Sequence, residues 1–166
     1  MNPPQFDDTT GQHAKLLSTL QQLLAINATA VKPALDAAST LIAAANSADK
    51  SDVFLYDHTA HTLVAVGTST TPMGQQQIAL GLNRLPLANG GRTVEVFQTG
   101  KIFHNNRVGT DKEELRGIRE GLDIRSMVAV PLLVNNVRRG VLQLGDLALE
   151  ARPARTSHAS CSHSTP

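Results

Sequence analysis

This sequence predicts an α+β fold, a largely antiparallel sheet flanked by helices, and three observations carry that prediction. First, Met127 to Val134 is a nearly unbroken run rich in Val and Leu. Asn135-Asn136 interrupts it, and a second apolar segment returns from Val137 to Leu144. Asn tolerates positive φ, so the pair suits a tight two-residue hairpin turn. Second, Asp52–Tyr56 and Thr62–Val66 are short segments separated by Asp-His-Thr-Ala-His (Asp57–His61), a second hairpin. Third, helical periodicity fills much of the remaining chain. Hairpin-joined strands pair antiparallel, and helices must then cover the faces of the sheet.

The elements follow in order. Met1 to Gly11 contains Pro, Asp and Thr without periodicity and reads as a flexible leader (residues 1–11). Residues 12–30 form an N-terminal unit. From His13 to Asn27, Leu16, Leu20, Leu23 and Asn27 recur as a heptad-like stripe, with Leu17 and Leu24 beside it. That pattern suits a dimer seam or an amphipathic helix lying on its own domain. Val31 to Ala45 is a second helix. Pro33 fits its first turn, and Leu35, Ala38, Ile42 and Ala45 make a stripe of mostly small residues that permits close packing.

After the first hairpin, Gly67–Gly74 is a polar loop, Gln75–Leu82 a short helix and Leu85–Gly91 a loop. Gly91–Thr99 reads as a helix with Val94, Val96 and Phe97 inward, and Gly100 as its C′ residue. Ile102-Phe103-His104 is a short edge strand. Thr110 and Glu113 have the spacing of a capping box, which predicts a helix over Thr110–Gly121 with Leu115, Ile118 and Leu122 buried. In the closing hairpin, Met127–Val134 reads as buried on both faces, Gly140 marks a close backbone approach, and Pro131 requires its strand to be bulged or unpaired on one side. Residues 145–166, rich in Ser, Ala, Arg and His, read as a disordered tail.

Composition narrows the function classes. The 166 residues suggest one domain. With 15 basic and 14 acidic residues the net charge is +1, so nothing electrostatic points to nucleic acid or an anionic membrane. The sequence has no apolar run long enough for a membrane segment and no signal-peptide pattern. Cys161 is the only cysteine, which rules out an intrachain disulfide and fits a cytoplasmic setting.

The order and spacing of particular residues add a resemblance. Arg84–Phe103 (RLPLANGGRTVEVFQTGKIF) and Thr110–Leu144, with Gly91, Thr99-Gly100-Lys101, Ser126, Val130-Pro131-Leu132 and Gly140-Val141-Leu142, are similar to the GAF domain family. Ser51–Gly67 is similar to that family's first hairpin. The resemblance covers roughly Val31 to Leu144, so residues 31–144 are taken as a GAF-like (GAF/PAS-like) domain. Three departures stand out. The closing helix that usually follows is not recognisable after Leu144. Asn135-Asn136 replaces a Gly-containing turn. His104–Thr110 lacks the Asp that the family often places after the short strand.

The resemblance implies a pocket on one face of the sheet, under the Gly91 helix and the His104–Thr110 loop. Tyr56, Phe103, His104, Asn105, Met127 and Ala129 are the ligand-binding candidates. The family's ligand classes are largely excluded. No cysteine precedes Cys161, so a covalent bilin and the family's cysteine-dependent reductase chemistry are both out. The cyclic-nucleotide signature cannot be placed. Haem would require an axial His, for which only His104 is positioned, and a single strand-end His is more often an ordinary polar residue. Gly90-Gly91 at a helix N-terminus lacks the Lys or Ser/Thr of a phosphate motif and reads as a turn. His58 and His61 share a hairpin turn without a third ligand, and His158, Cys161 and His163 lie in the tail, so no metal site is expected. No catalytic constellation stands out.

The expectation is therefore a non-catalytic, small-molecule-sensing regulatory module of a signal-transduction protein. A sensor histidine kinase of a two-component system is the example, and the module would be a homodimer through its N-terminal helix. The alternative is a ligand-free dimerisation module.

Overall fold

A computed structural model of the chain describes residues 9–27 and 29–147. The predicted tail, apart from its first residues, and most of the predicted leader lie outside them. Helix α1 (Thr9–Leu24) and helix α2 (Val31–Asn46) come first, then β1 (Lys50–Asp57), β2 (Thr62–Thr68), α3 (Pro72–Ala79), β3 (Arg84–Pro86), α4 (Arg92–Thr99), β4 (Phe103–Asn105), β5 (Ser126–Val134) and β6 (Val137–Asp146). The strands form one six-stranded sheet in the order β3-β2-β1-β6-β5-β4, every neighbouring pair antiparallel. The α+β expectation holds.

Local chemistry explains the hairpins. Asn135 and Asn136 adopt φ of 50° and 61°, the double positive-φ turn whose twist matches paired strands. Asp57 closes the other turn by accepting from the amides of Thr59 and Ala60 at 2.9 and 3.1 Å. Pro131 pairs with Val141 on one side only, because β4 flanks β5 no further than Ala129. A Cβ on Gly140 would lie 1.9 Å from the Phe54 carbonyl oxygen, so glycine is what lets β6 pair with β1 there.

The two sheet faces, called distal and proximal here, are covered differently. Helix α2 lies on the proximal face over β1 and β2, close enough that a Cβ on Gly67 would meet Leu35 at 2.7 Å. Helices α3 and α4 lie on the distal face, over β1 and over β5–β6. Two apolar clusters fill that face. One gathers Phe54, Leu63, Leu85, Val94, Val96, Phe97, Ala129 and Val141. The other gathers Met73, Val108, Ile118, Leu122, Ile124 and Met127.

Several expectations need correction. The predicted helix over Gln75–Leu82 begins earlier, at Pro72, because Thr71 caps it by accepting from the Gly74 amide. The Leu85–Gly91 loop contains the edge strand β3 and a single 3₁₀ turn, Leu87–Asn89. β6 runs through Gly145 and Asp146, two residues past the start of the predicted tail. β5 is not buried on both faces; from Ser126 to Val130 its residues alternate between half-exposed and buried, and Leu133 and Val134 at its end are exposed.

The helix predicted over Thr110–Gly121 does not form as one element. A 3₁₀ turn at Val108–Thr110 and a π turn at Gly117–Gly121 replace it. Thr110 donates to the Arg107 carbonyl oxygen rather than capping, and the Glu113 amide is taken by Asp111. Ile118 and Leu122 are nevertheless buried as their spacing requires.

Candidate functional site

Strand alternation decides which predicted site residues meet. β4 pairs with β5 so that Phe103 faces Ala129 and Asn105 faces Met127. Met127 and Ala129 are 1% and 0% exposed. Phe103 packs against both apolar clusters, and Tyr56 packs against the first. Tyr56, Phe103, Asn105, Met127 and Ala129 therefore share the distal face. His104 lies between Phe103 and Asn105, so it points to the opposite face and is exposed. It does not join the candidate site, which removes the one histidine positioned as an axial ligand.

A polar clasp, absent from the predicted set, fastens the cover to this face. The Arg92 guanidinium at the start of α4 binds Asp111 through two hydrogen bonds of 2.8 Å, donates to Glu95 at 2.6 Å, and lies 5.2 Å from the Phe103 ring centroid. Asn105 adds a bond of 3.3 Å to Asp111. Bidentate geometry and opposite charge make this the strong kind of pair. Hydrogen bonding from Arg92 holds the Asp111 carboxyl below the usual carboxylate range, and Asp111 in turn raises the guanidinium pKa further above its ordinary value.

The N-terminus of α4 is already occupied by a side chain of this protein. Glu114 is buried, with Oε1 accepting from the Leu115 amide at 2.7 Å while Oε2 has no partner among the described residues. The carboxyl also accepts from the Arg92 backbone, and burial pushes it up to about 7. Gly91 has φ of 90°, and a Cβ there would fall 3.0 Å from Glu114 Oε1 and 2.8 Å from Leu115 Cγ. Gly91 is thus a position where the chain needs glycine for both conformation and space.

At the other end of α4 an open cleft of about 480 Å³ is lined by Tyr56, His58, Phe97, Gln98, Asn136, Val137 and Arg138. The Tyr56 hydroxyl lies 2.9 Å from His61 Nδ1, its ring is 4.7 Å from Phe97, and His58 meets its edge at 4.5 Å. The two turn histidines are thus partners of Tyr56. Among the described residues no group of three or more His, Cys, Asp or Glu is placed to hold a metal.

A second group missed by sequence reasoning lies on the distal face next to Ala129 and Met127. Lys50, Asp52 and Gln143 are fully buried there, together with Gln77 from α3. Charged residues at a strand start carry no periodic signal of burial, so only the register reveals them.

This architecture is that of a GAF domain. The GAF domain of a Coxiella burnetii phosphoenolpyruvate-protein phosphotransferase superposes with a TM-score of 0.68 at 18% identity, covering 85% of this chain and 80% of that one. The Nlh2 GAF domain of A. aeolicus gives 0.63 at 14% identity over 86% and 83% of the two chains. The free methionine-R-sulfoxide reductase of Neisseria meningitidis, solved with its substrate, gives 0.62 at 15% identity over 88% and 79%. At these identities the likeness establishes the fold. No protein-family model matches the sequence, and no curated protein matches it.

Proposed function

We propose that this chain is a small-molecule-sensing regulatory module of a signal-transduction protein, with a sensor histidine kinase of a two-component system as the type of host, and that it catalyses nothing itself. The observation that carries the reading is the cover of the distal face. Its fastening is a polar clasp, Arg92–Asp111–Asn105, laid over apolar packing. The clasp ties α4 to the 105–111 segment directly over Phe103, so a molecule lodged beneath it would act on a discrete polar tie between two covering segments. A reductase of the same fold, solved with its substrate, supports the idea that this architecture encloses small molecules. The test is a thermal-shift panel of nucleotides, haem and amino acids on the intact chain. A compound that raises Tm by several degrees supports sensing.

A silent panel favours the second reading, a ligand-free dimerisation module, and α1 gives that reading its own support. The helix is exposed on nearly every side, and among its described side chains only Thr19 and Leu23, with Ile26 just beyond its end, are half-buried. Leu16 and Leu20 are 61% and 52% exposed, and Leu17 and Leu24 beside them are exposed as well. An apolar stripe turned to solvent is suited to a second copy of the helix. Leu20→Asp is expected to give monomers in sedimentation velocity, and an unchanged dimer removes this reading. No helix among the described residues is long and apolar enough to cross a membrane, which is compatible with a cytoplasmic module.

A further inference from the structure

The polar group on the distal face calls for a physical reason. Lys50 and Asp52 are each 0% exposed and Gln77 is 1% exposed. Lys50 Nζ donates to Asp52 Oδ2 and to Gln77 Oε1. Gln77 Nε2 donates to Asp52 Oδ1 at 2.9 Å. One primary amide therefore bridges both charges, its oxygen on the ammonium and its nitrogen on the carboxylate. Gln143 stands opposite Asp52 in the β1–β6 register. Its Nε2 lies 2.7 Å from Met127 Sδ, and its buried Oε1 has no partner among the described residues.

Stability does not account for this arrangement. Removing two charges from water costs several kcal/mol per ion, and an apolar filling of the same volume is often as stable or more so. The surrounding clusters show that this chain fills space with Phe54, Met127 and Val141 where filling is all that is needed. A sealed pair of opposite charges with one spare acceptor suits a molecule that carries both charges itself.

We propose that Lys50, Asp52 and Gln143 form a receptor for a free zwitterionic α-amino acid, and that Gln77 occupies it as an internal stand-in. The inference rests on the sensing reading and names its ligand class. The amino acid's carboxylate replaces the Gln77 oxygen on Lys50. Its ammonium replaces the Gln77 nitrogen on Asp52 and donates a further hydrogen bond to Gln143 Oε1. An amide sets its oxygen and nitrogen on one carbon, while an α-amino acid sets them one bond further apart, so the exchange needs only a small adjustment. Gln77 is carried by α3, a short helix whose buried residues are Met73, Gly74 and Gln77. Gln76 ties it to the Gly121 carbonyl oxygen by a single bond of 2.9 Å. Displacing Gln77 moves α3, which converts binding into a change at the surface.

Calorimetry with the twenty free amino acids, and with acetate and methylamine as single-charge controls, tests the proposal on the full chain. Gln77→Ala removes the stand-in and is expected to lower Kd for its preferred amino acid by at least about tenfold, since an occluded site weakens apparent affinity by its open fraction. Lys50→Met with Asp52→Leu, which keeps volume and removes both charges, is expected to abolish binding while circular dichroism stays native. Should Gln77→Ala not fold, Gln77→Ser takes its place. Undiminished binding in the charge-free double variant overturns the assignment, as does a folded stand-in variant that binds no amino acid at millimolar concentration. If only a nucleotide or haem raises Tm, the amino-acid assignment falls and the sensing reading stands. If every compound is silent, both fall.

Discussion

On β5, Met127 and Ala129 point into the distal clusters, while their chain neighbours Val128 and Val130 stay half-exposed on the proximal side. The same division runs along β6, where Val141 and Gln143 are sealed and Leu142 and Leu144 are not. On the distal face, α3, α4 and the 105–125 segment cover even a charged pair. On the proximal face α2 covers only the β1–β2 side. The distal side is finished within one chain, and the proximal side, like α1, keeps apolar surface in hand for something outside the described residues. The proposed ligand belongs to the first face, and the proposed protein partner to the second.

The largest effect expected from this contrast concerns adjacent residues of β1. Phe54 is at the centre of the first cluster, and Leu55 faces the proximal side and is exposed. Phe54→Ala is expected to cost about 3–5 kcal/mol in urea unfolding, whereas Leu55→Ala costs about 1 kcal/mol or less. Equal losses mean that the proximal face is as well covered as the distal one.

The next effect depends on pH. The native Glu114 carboxyl holds its proton up to about 7, against an ordinary value of 4.5. Between those values the native state is protonated where the unfolded chain has lost the proton. Stability from this group is therefore fully present below 4.5 and lost as pH rises through 7, on the order of 3 kcal/mol. Glu114→Gln keeps an acceptor for the Leu115 amide and removes the titration. Its urea midpoint is expected to vary less between pH 5 and 8 and to exceed that of the original chain at pH 8. An unchanged slope places the carboxyl in water and breaks the picture of a sealed distal face.

The same segment shows where sequence reasoning reached its limit. The β5–β6 hairpin was legible because its determinants are local: two asparagines, one proline and one glycine act within a few residues of where they stand. The ends of α4 were legible for the same reason, through Gly91 and Gly100. The Thr110–Gly121 stretch has equally good local signals, yet Asp111 is drawn to Arg92 and Glu114 to the start of α4, contacts across some twenty residues of chain that a capping pattern does not register. The apolar spacing still selected the correct buried residues, Ile118 and Leu122. That Tyr56, Phe103, Asn105, Met127 and Ala129 share one face of the sheet was legible from strand pattern and resemblance. His104 failed because a single-residue choice of register decides the face. Lys50, Asp52, Gln77 and Gln143 look like surface residues in any window, and only the pairing of β1 with β6 brings them inside.

The smallest effect is expected at Val130, and it is read against its neighbour Met127, where the same charge serves as the control. Val130→Lys places a long side chain on the proximal face, where the stem can lie along the sheet and the ammonium can reach water. It is expected to cost on the order of 1 kcal/mol. Met127→Lys puts the same charge into a position 1% exposed, among Val108, Ile124 and Leu122, with no acidic partner in that cluster, and is expected to prevent folding. If Val130→Lys leaves the monomer folded but shifts a sedimenting dimer to monomer, the open face of β5 belongs to the dimer interface. If the dimer persists unchanged, the partner surface lies on α1 alone.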